Sequence, residues 1–272
     1  MTTHDRPKGA TLRALVTGAT GGIGLELARL LAADGFHLVL VGRRRDQLDR
    51  VAAELGEAHR INVQVEPRDL SECGAASRLW SDLAASGAGA RIDVLINNAG
   101  VGLYGAVEQQ DPAELDRMVQ LNVSALTTLT RLALPGMRER RWGRILNLAS
   151  VVAFQPGAPY MAAYYATKAY VLSFSKGLAL ELRGSGVSVT ALCPGPTETD
   201  FDDRARAGGD VLFKQLPKLP AAQVARAGYA GLMRGSMVII PGLLTKLMAM
   251  SGELPPRRVA LEVNRALWVP RS

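Results

Sequence analysis

Cysteine is almost absent: Cys73 and Cys193 are the only two in 272 residues. They lie far apart and without metal-ligand spacing, which excludes a disulfide framework and gives no zinc site. Packing is therefore expected to hold the chain together in a reducing, cytoplasmic setting, and no metal is expected. The start also lacks the apolar stretch of a secretory signal; residues 1–10 are polar, mixed in charge and read as a disordered tail. No uninterrupted transmembrane run occurs. Ile145 to Thr167 carries no charge, but Asn147, Ser150, Gln155, Pro156 and Pro159 break it, so it reads as a buried strand, a loop and a helix start. Low-complexity linkers and internal repeats are missing too, which makes 11–272 a single expected domain.

With 48% hydrophobic and 21% charged residues the chain has a globular composition, and its length allows a large core. The formal charge is +7. Basic residues are spread along the chain rather than clustered, which argues against a nucleic-acid partner and leaves an anionic cofactor as the natural beneficiary.

Apolar runs and helical periodicities alternate. Strands are expected at Leu12 to Thr17, Leu38 to Val41, Ile61 to Val65, Ile92 to Ile96, Ile145 to Leu148, Val187 to Leu192 and Met237 to Ile240. Helices are expected after the first two strands and near 71–86, 112–138, 160–183 and 220–234. Such alternation implies an α/β fold: a doubly wound, mostly parallel sheet of about seven strands covered by helices on both faces, as in Rossmann folds. Glycines and prolines near 207–220 suggest an insertion, and 200–235 is expected to be a substrate lid, with 241–272 a helical extension.

The turn after the first strand reads Thr17-Gly18-Ala19-Thr20-Gly21-Gly22-Ile23-Gly24. Glycines there let the backbone approach a pyrophosphate, and the following helix supplies free N–H groups. The second strand ends in Gly42-Arg43-Arg44-Arg45, where an NAD-preferring turn would place an acid for the ribose 2′-hydroxyl. Arginine binds a 2′-phosphate instead, so NADP(H) is expected over NAD(H). Asp69-Leu70 and Asn97-Asn98-Ala99-Gly100 close the third and fourth strands, at the sheet edge where such folds bind ligands. Ser150 closes the fifth strand. Tyr164 and Lys168, four apart, share a helix face; neither Tyr160 nor Tyr165 has a lysine at that spacing.

These ordered segments resemble the short-chain dehydrogenase/reductase family, from about residue 12 to 200, and within it bacterial ketoacyl and hydroxysteroid-type reductases. The resemblance implies an oxidoreductase moving hydride between a nicotinamide and a carbonyl or secondary alcohol, with Asn122, Ser150, Tyr164 and Lys168 as its catalytic set. It implies a cofactor site formed by Gly18, Thr20, Gly22, Ile23, Gly24, Arg43, Asp69, Leu70, Asn98, Ala99, Gly100, Tyr164, Lys168, Pro194, Gly195, Thr197 and Thr199. A homodimer or homotetramer acting on a small carbonyl or alcohol is the family expectation; apolar residues beyond 200 fit an apolar substrate or a finished core. Two departures stand out. Gly21 replaces a basic residue of many NADP-using relatives, and Tyr164 follows Ser150 at one position more than the family spacing, which lengthens the Ala153 to Pro159 loop. A hydride-using epimerase or dehydratase and a catalytically silent NADPH-binding regulator remain alternatives; little chain is left for a sugar-nucleotide domain, and the complete catalytic set argues against silence.

Overall fold

The computed structural model describes residues 7, 11–85, 91–199, 212–253 and 257–269. In chain order the elements are β1 (Arg13–Thr17), α1 (Gly22–Ala33), β2 (His37–Gly42), α2 (Arg45–His59), β3 (Val63–Pro67), α3 (Ala75–Ala85), β4 (Val94–Asn97) and α4 (Pro112–Val119). There follow α5 (Leu126–Glu139), β5 (Gly143–Leu148), α6 (Ala162–Glu181), β6 (Val187–Leu192), the two-residue strands β7 (Thr197–Glu198) and β8 (Leu219–Pro220), α7 (Ala221–Arg234), β9 (Val238–Ile239), α8 (Leu243–Glu253) and α9 (Arg257–Trp268). Seven parallel strands form one sheet in the order β3-β2-β1-β4-β5-β6-β9. The order reverses between β1 and β4, which opens a crevice at their carboxyl ends.

Alternation along each strand builds two cores. Ala14 and Val16 of β1 and Leu38 and Leu40 of β2 face one way, against Leu27 and Leu31 of α1, Leu48 and Leu55 of α2 and Val224 and Leu232 of α7. Leu15, Val39 and Val41 face the other way, against Leu79 and Leu83 of α3, Leu129 and Met137 of α5 and Leu178 of α6. Strands apolar on both sides need helices on both sides, which is why the apolar runs looked continuous in sequence.

Two expectations change. The stretch 112–138 is not one regular helix: a π-helical turn, Gln120–Ala125, separates α4 from α5. Such a turn accommodates one extra residue without breaking the apolar stripe, so periodicity does not reveal it. Of the expected lid, α7 is a core helix, with Val224, Ala225 and Leu232 fully buried, and 200–211 lies outside the described residues. The tail 1–10, apart from Pro7, lies outside them as well. Among the described residues no helix is long and apolar enough to cross a membrane, and no cluster of metal-ligating side chains occurs.

Candidate active site

The glycine turn and the end of β4 are stitched together. Thr17 Oγ1 donates to Ile96 O (3.2 Å) and accepts from the amides of Asn98 (3.0 Å) and Ala99 (2.9 Å). The Asn98 side-chain amide donates to the carbonyls of Thr17 (2.9 Å) and Gly18 (3.1 Å). This close approach dictates glycine: Gly18 has φ +67°, and a Cβ on Gly24 would collide with the Asn98 amide and the Gly18 carbonyl. Asn98 is thus a brace for the turn. The N-terminus of α1 has no side-chain cap and no acid in its first turn, which leaves its N–H groups available to an anion.

Beside this turn a groove of about 390 Å³ collects Gly18 and Thr20, Gly42 and Arg43 from the end of β2, Asp69 and Leu70 after β3, and Ala99 and Gly100 after β4. Arg44 of the same arginine run also lines it, and so do Arg68, Ser71, Glu114 and Arg117, which the sequence alone did not single out. Asp69 Oδ1 accepts from the amide (3.0 Å) and hydroxyl (2.6 Å) of Ser71, and Oδ2 from Arg117 (2.7 Å). Burial pushes the Asp69 carboxyl up, but the Ser71 hydrogen bonds and the charges of Arg117 and Arg43 hold it below its ordinary value. Arg117 lies 48 residues from Asp69 and only the fold pairs them. Gly21 opens onto free space: a Cβ there would meet nothing within 4 Å.

Other expected cofactor residues stand around the groove rather than in it. Ile23 and Gly24 are buried in α1. A Cβ on Gly22, at φ +54°, would touch the Thr199 methyl at 2.9 Å, so the segment after β6 crosses directly over the turn. That segment is pinned by Val151 N donating to Pro194 O (2.8 Å) and by Thr197 Oγ1 donating to Gly195 O (2.9 Å).

Tyr164 and Lys168 both lie on the buried face of α6, 7% and 4% exposed. Lys168 Nζ donates to the carbonyl of Leu148 at the end of β5 (2.8 Å) and lies 5.8 Å from the centre of the Tyr164 ring. Ser150 Oγ accepts from Val152 N (3.3 Å) and so caps a short 3-10 turn, Val151–Phe154. Asn122 stands in the π-helical turn; its amide donates to Val101 O (2.8 Å) and Thr167 Oγ1 (3.1 Å), while its Oδ1 accepts from Val101 N (3.0 Å). Gly100 is where these meet: a Cβ on it would lie 3.2 Å from Asn122 Oδ1 and 3.4 Å from Lys168 Nζ. Asn122 and Lys168 therefore meet at Gly100, a residue of the groove's lining, with the Tyr164 ring next to Lys168. Tyr165 does not join them, since its hydroxyl accepts from Trp268 Nε1 (2.8 Å).

The lengthened loop is held from outside. Gln155 donates to Met248 O of α8, Asn264 of α9 donates to Gly157 O (2.8 Å), and Gly105 N donates to Tyr160 O (2.9 Å). Within this loop Gly157 (φ +139°) and Tyr160 (φ +61°) have positive φ.

Burial lowers the Lys168 ammonium to about 8, slightly offset by neighbouring Cys193, whose own thiol burial pushes up to about 12. A lysine depressed from 10.5 to about 8 is an unfavourable buried charge, of order 3 kcal/mol at neutral pH. The destabilisation is complete below pH 8 and disappears as pH rises towards 10.5, because only then does the unfolded chain release the same proton. Lys168→Met is accordingly expected to keep or raise the melting temperature of the cofactor-free protein at pH 7, less the loss of the bond to Leu148, and to lose that advantage by pH 10. Thermal denaturation of both proteins across pH 7–10 measures it; a variant melting well below wild type at pH 7 contradicts it.

The family model for short chain dehydrogenases matches residues 13–209. The D-beta-hydroxybutyrate dehydrogenase of Cupriavidus necator is 37% identical over 183 residues, 67% of this chain and 69% of that one. The monensin polyketide synthase putative ketoacyl reductase of Streptomyces virginiae is 40% identical over 197 residues, 72% and 74% of the two chains. A short-chain dehydrogenase from Sphingobium yanoikuyae, solved in complex with NADPH, superposes with a TM-score of 0.78 over 89% of this chain and 92% of that one, at 35% identity. Fold, groove and likeness agree: the chain belongs to the short-chain dehydrogenase/reductase family and is an oxidoreductase acting on CH–OH groups with a nicotinamide cofactor.

Proposed function

We propose that this protein is an NADP(H)-dependent reductase of carbonyls, or dehydrogenase of the corresponding secondary alcohols, with Tyr164 as its general acid and base. The observation that carries the reading is the meeting of Lys168 Nζ and Asn122 Oδ1 at Gly100, which lines the same groove as Arg43. The groove suits a dinucleotide: an uncapped helix N-terminus for the pyrophosphate, Asp69 and Leu70 for the adenosine, and arginines where a 2′-phosphate would lie. The NADPH bound to the Sphingobium relative supports the same choice.

When bound, the nicotinamide supplies or accepts the hydride; the protein manages the proton. The Tyr164 hydroxyl gives a proton to the oxygen of a carbonyl under reduction and takes it back in oxidation. A free phenol, pKa about 10, is a poor base near neutrality. The Lys168 ammonium favours the phenolate and lowers that barrier. Ser150, at the start of the loop facing α6, orients the substrate oxygen. Asn122 ties the Gly100–Val101 segment to α6 and, from its π-helical turn, holds a water that returns protons to Lys168.

The substrate reading follows from the surroundings of Tyr164. Met118, Val151, Val152, Met161 and Trp268 are buried with it, and Tyr104 and Phe213 pack against them half-buried. Phe213 stacks on Trp268 with centroids 4.3 Å apart, and Tyr104 donates to Trp268 O (2.9 Å). Such a wall favours an apolar carbonyl over a small charged one. The test is a panel of ketones, ketoacyl thioesters, steroids and short oxo acids followed by NADPH absorbance. Oxidation of NADPH with the apolar members is expected; tight NADPH binding without turnover of any carbonyl overturns the reading.

A further inference from the structure

Asp69 presents a difficulty to the NADP(H) reading. It lines the same groove as Arg43, whose charge is the smallest of the influences that hold the carboxyl down. A 2′-phosphate held by Arg43 would therefore feel the Asp69 charge as well, and the two repel. With Arg43 taken up by the phosphate, one other group in the groove is paired with that charge. Arg117 of α4 donates to Asp69 Oδ2 at 2.7 Å, the single ion pair of Asp69 among the described residues. Arg68 has its charge engaged elsewhere, by Asp82 at 2.7 Å and Glu66 at 3.6 Å. Ser71 fills Oδ1 but brings no charge.

We propose that Arg117 is a specificity-determining residue: by pairing with Asp69 it cancels the carboxylate that would otherwise oppose a 2′-phosphate, and so lets one groove use an adenosine-side acid and still prefer NADP(H). The inference rests on the cofactor reading above. A structural role alone accounts poorly for the pair. Its side chains are 45% and 22% exposed, and pairs so exposed contribute little to stability. A ligand carrying up to two negative charges beside Asp69 feels the missing cation far more than the fold does.

The test is equilibrium binding to the cofactor-free protein, by tryptophan fluorescence or calorimetry, of NADPH, NADH, NADP⁺ and NAD⁺. Arg117→Ala is expected to weaken the phosphorylated forms about three- to tenfold more than the unphosphorylated ones, the difference shrinking at high salt, with little change in melting temperature. Arg117→Lys keeps the charge and is expected to keep most of the discrimination. Asp69→Asn added to Arg117→Ala restores the NADPH-to-NADH affinity ratio, because no charge then needs cancelling; any contact of Asp69 with the adenosine is common to both ligands and drops out of the ratio. Equal weakening of all four ligands by Arg117→Ala, or no rescue by Asp69→Asn, overturns the inference while leaving the cofactor reading intact. A wild type that binds NADPH and NADH equally overturns both.

Discussion

Tyr164→Phe is expected to fold, to bind NADPH like wild type, and to turn over roughly 10²–10⁴-fold more slowly. The ring is buried in a cluster with Met118, Val151, Val152 and Met161, and phenylalanine fills the same volume, so the change is confined to one hydroxyl. A single hydrogen bond contributes about 1 kcal/mol to stability, so removing one hydroxyl is expected to leave the fold intact. Loss of proton transfer to the substrate oxygen is much larger, since no other tyrosine has a lysine four residues on. Tyr165→Phe is the control. It removes only the bond from Trp268 and sits on the same helix, so its kcat should stay close to wild type. A Tyr164→Phe enzyme with kcat within a few-fold of wild type removes Tyr164 from the mechanism, and one with NADPH affinity strongly reduced makes the hydroxyl a binding group.

Much of this site was legible because it is local. The glycine turn, Asn98, Ser150 and the Tyr164 to Lys168 spacing are short-range patterns, and the strands that carry them are continuous apolar runs, visible because both faces are buried. Strand ends were less sharp: Ile61 and Ile92 are buried, yet β3 begins at Val63 and β4 at Val94, since burial extends past the ladder. Residues whose role depends on a distant partner were not legible. Arg117 is an ordinary helix arginine until the fold brings it to Asp69, and Asn264 and Trp268 are an ordinary polar and aromatic pair until α9 docks on the Gly157 loop and on Tyr165. The π-helical turn at Asn122 is hidden for the opposite reason: it preserves the apolar stripe on either side.

Cofactor choice is expected to turn on two neighbouring residues at the end of β2. Wild type should prefer NADPH to NADH by about tenfold to a hundredfold, the equivalent of one hydrogen bond from a charged group at about 1.5–3 kcal/mol. Arg43→Ala should erase most of that preference, because a planar and permanently charged donor set is lost. Gly42 bears no side chain, so nothing there accepts from the ribose hydroxyls of NADH. A Cβ at Gly42 would lie 3.3 Å from the Thr20 methyl and 3.5 Å from Leu48, contacts that a small shift of Thr20 relieves, so an aspartate fits. Gly42→Asp combined with Arg43→Ala should then reverse the preference towards NADH, since the new carboxylate holds the ribose hydroxyls and repels a phosphate. Measuring kcat/KM for both cofactors at one ionic strength in wild type and both variants decides it, because phosphate attraction is screened by salt. Arg44 lines the same groove, so Arg44→Ala belongs in the set. If discrimination survives Arg43→Ala and falls only with Arg44→Ala, the phosphate is held one residue further along; if wild type uses both cofactors equally, the arginines at this strand end have no part in the choice.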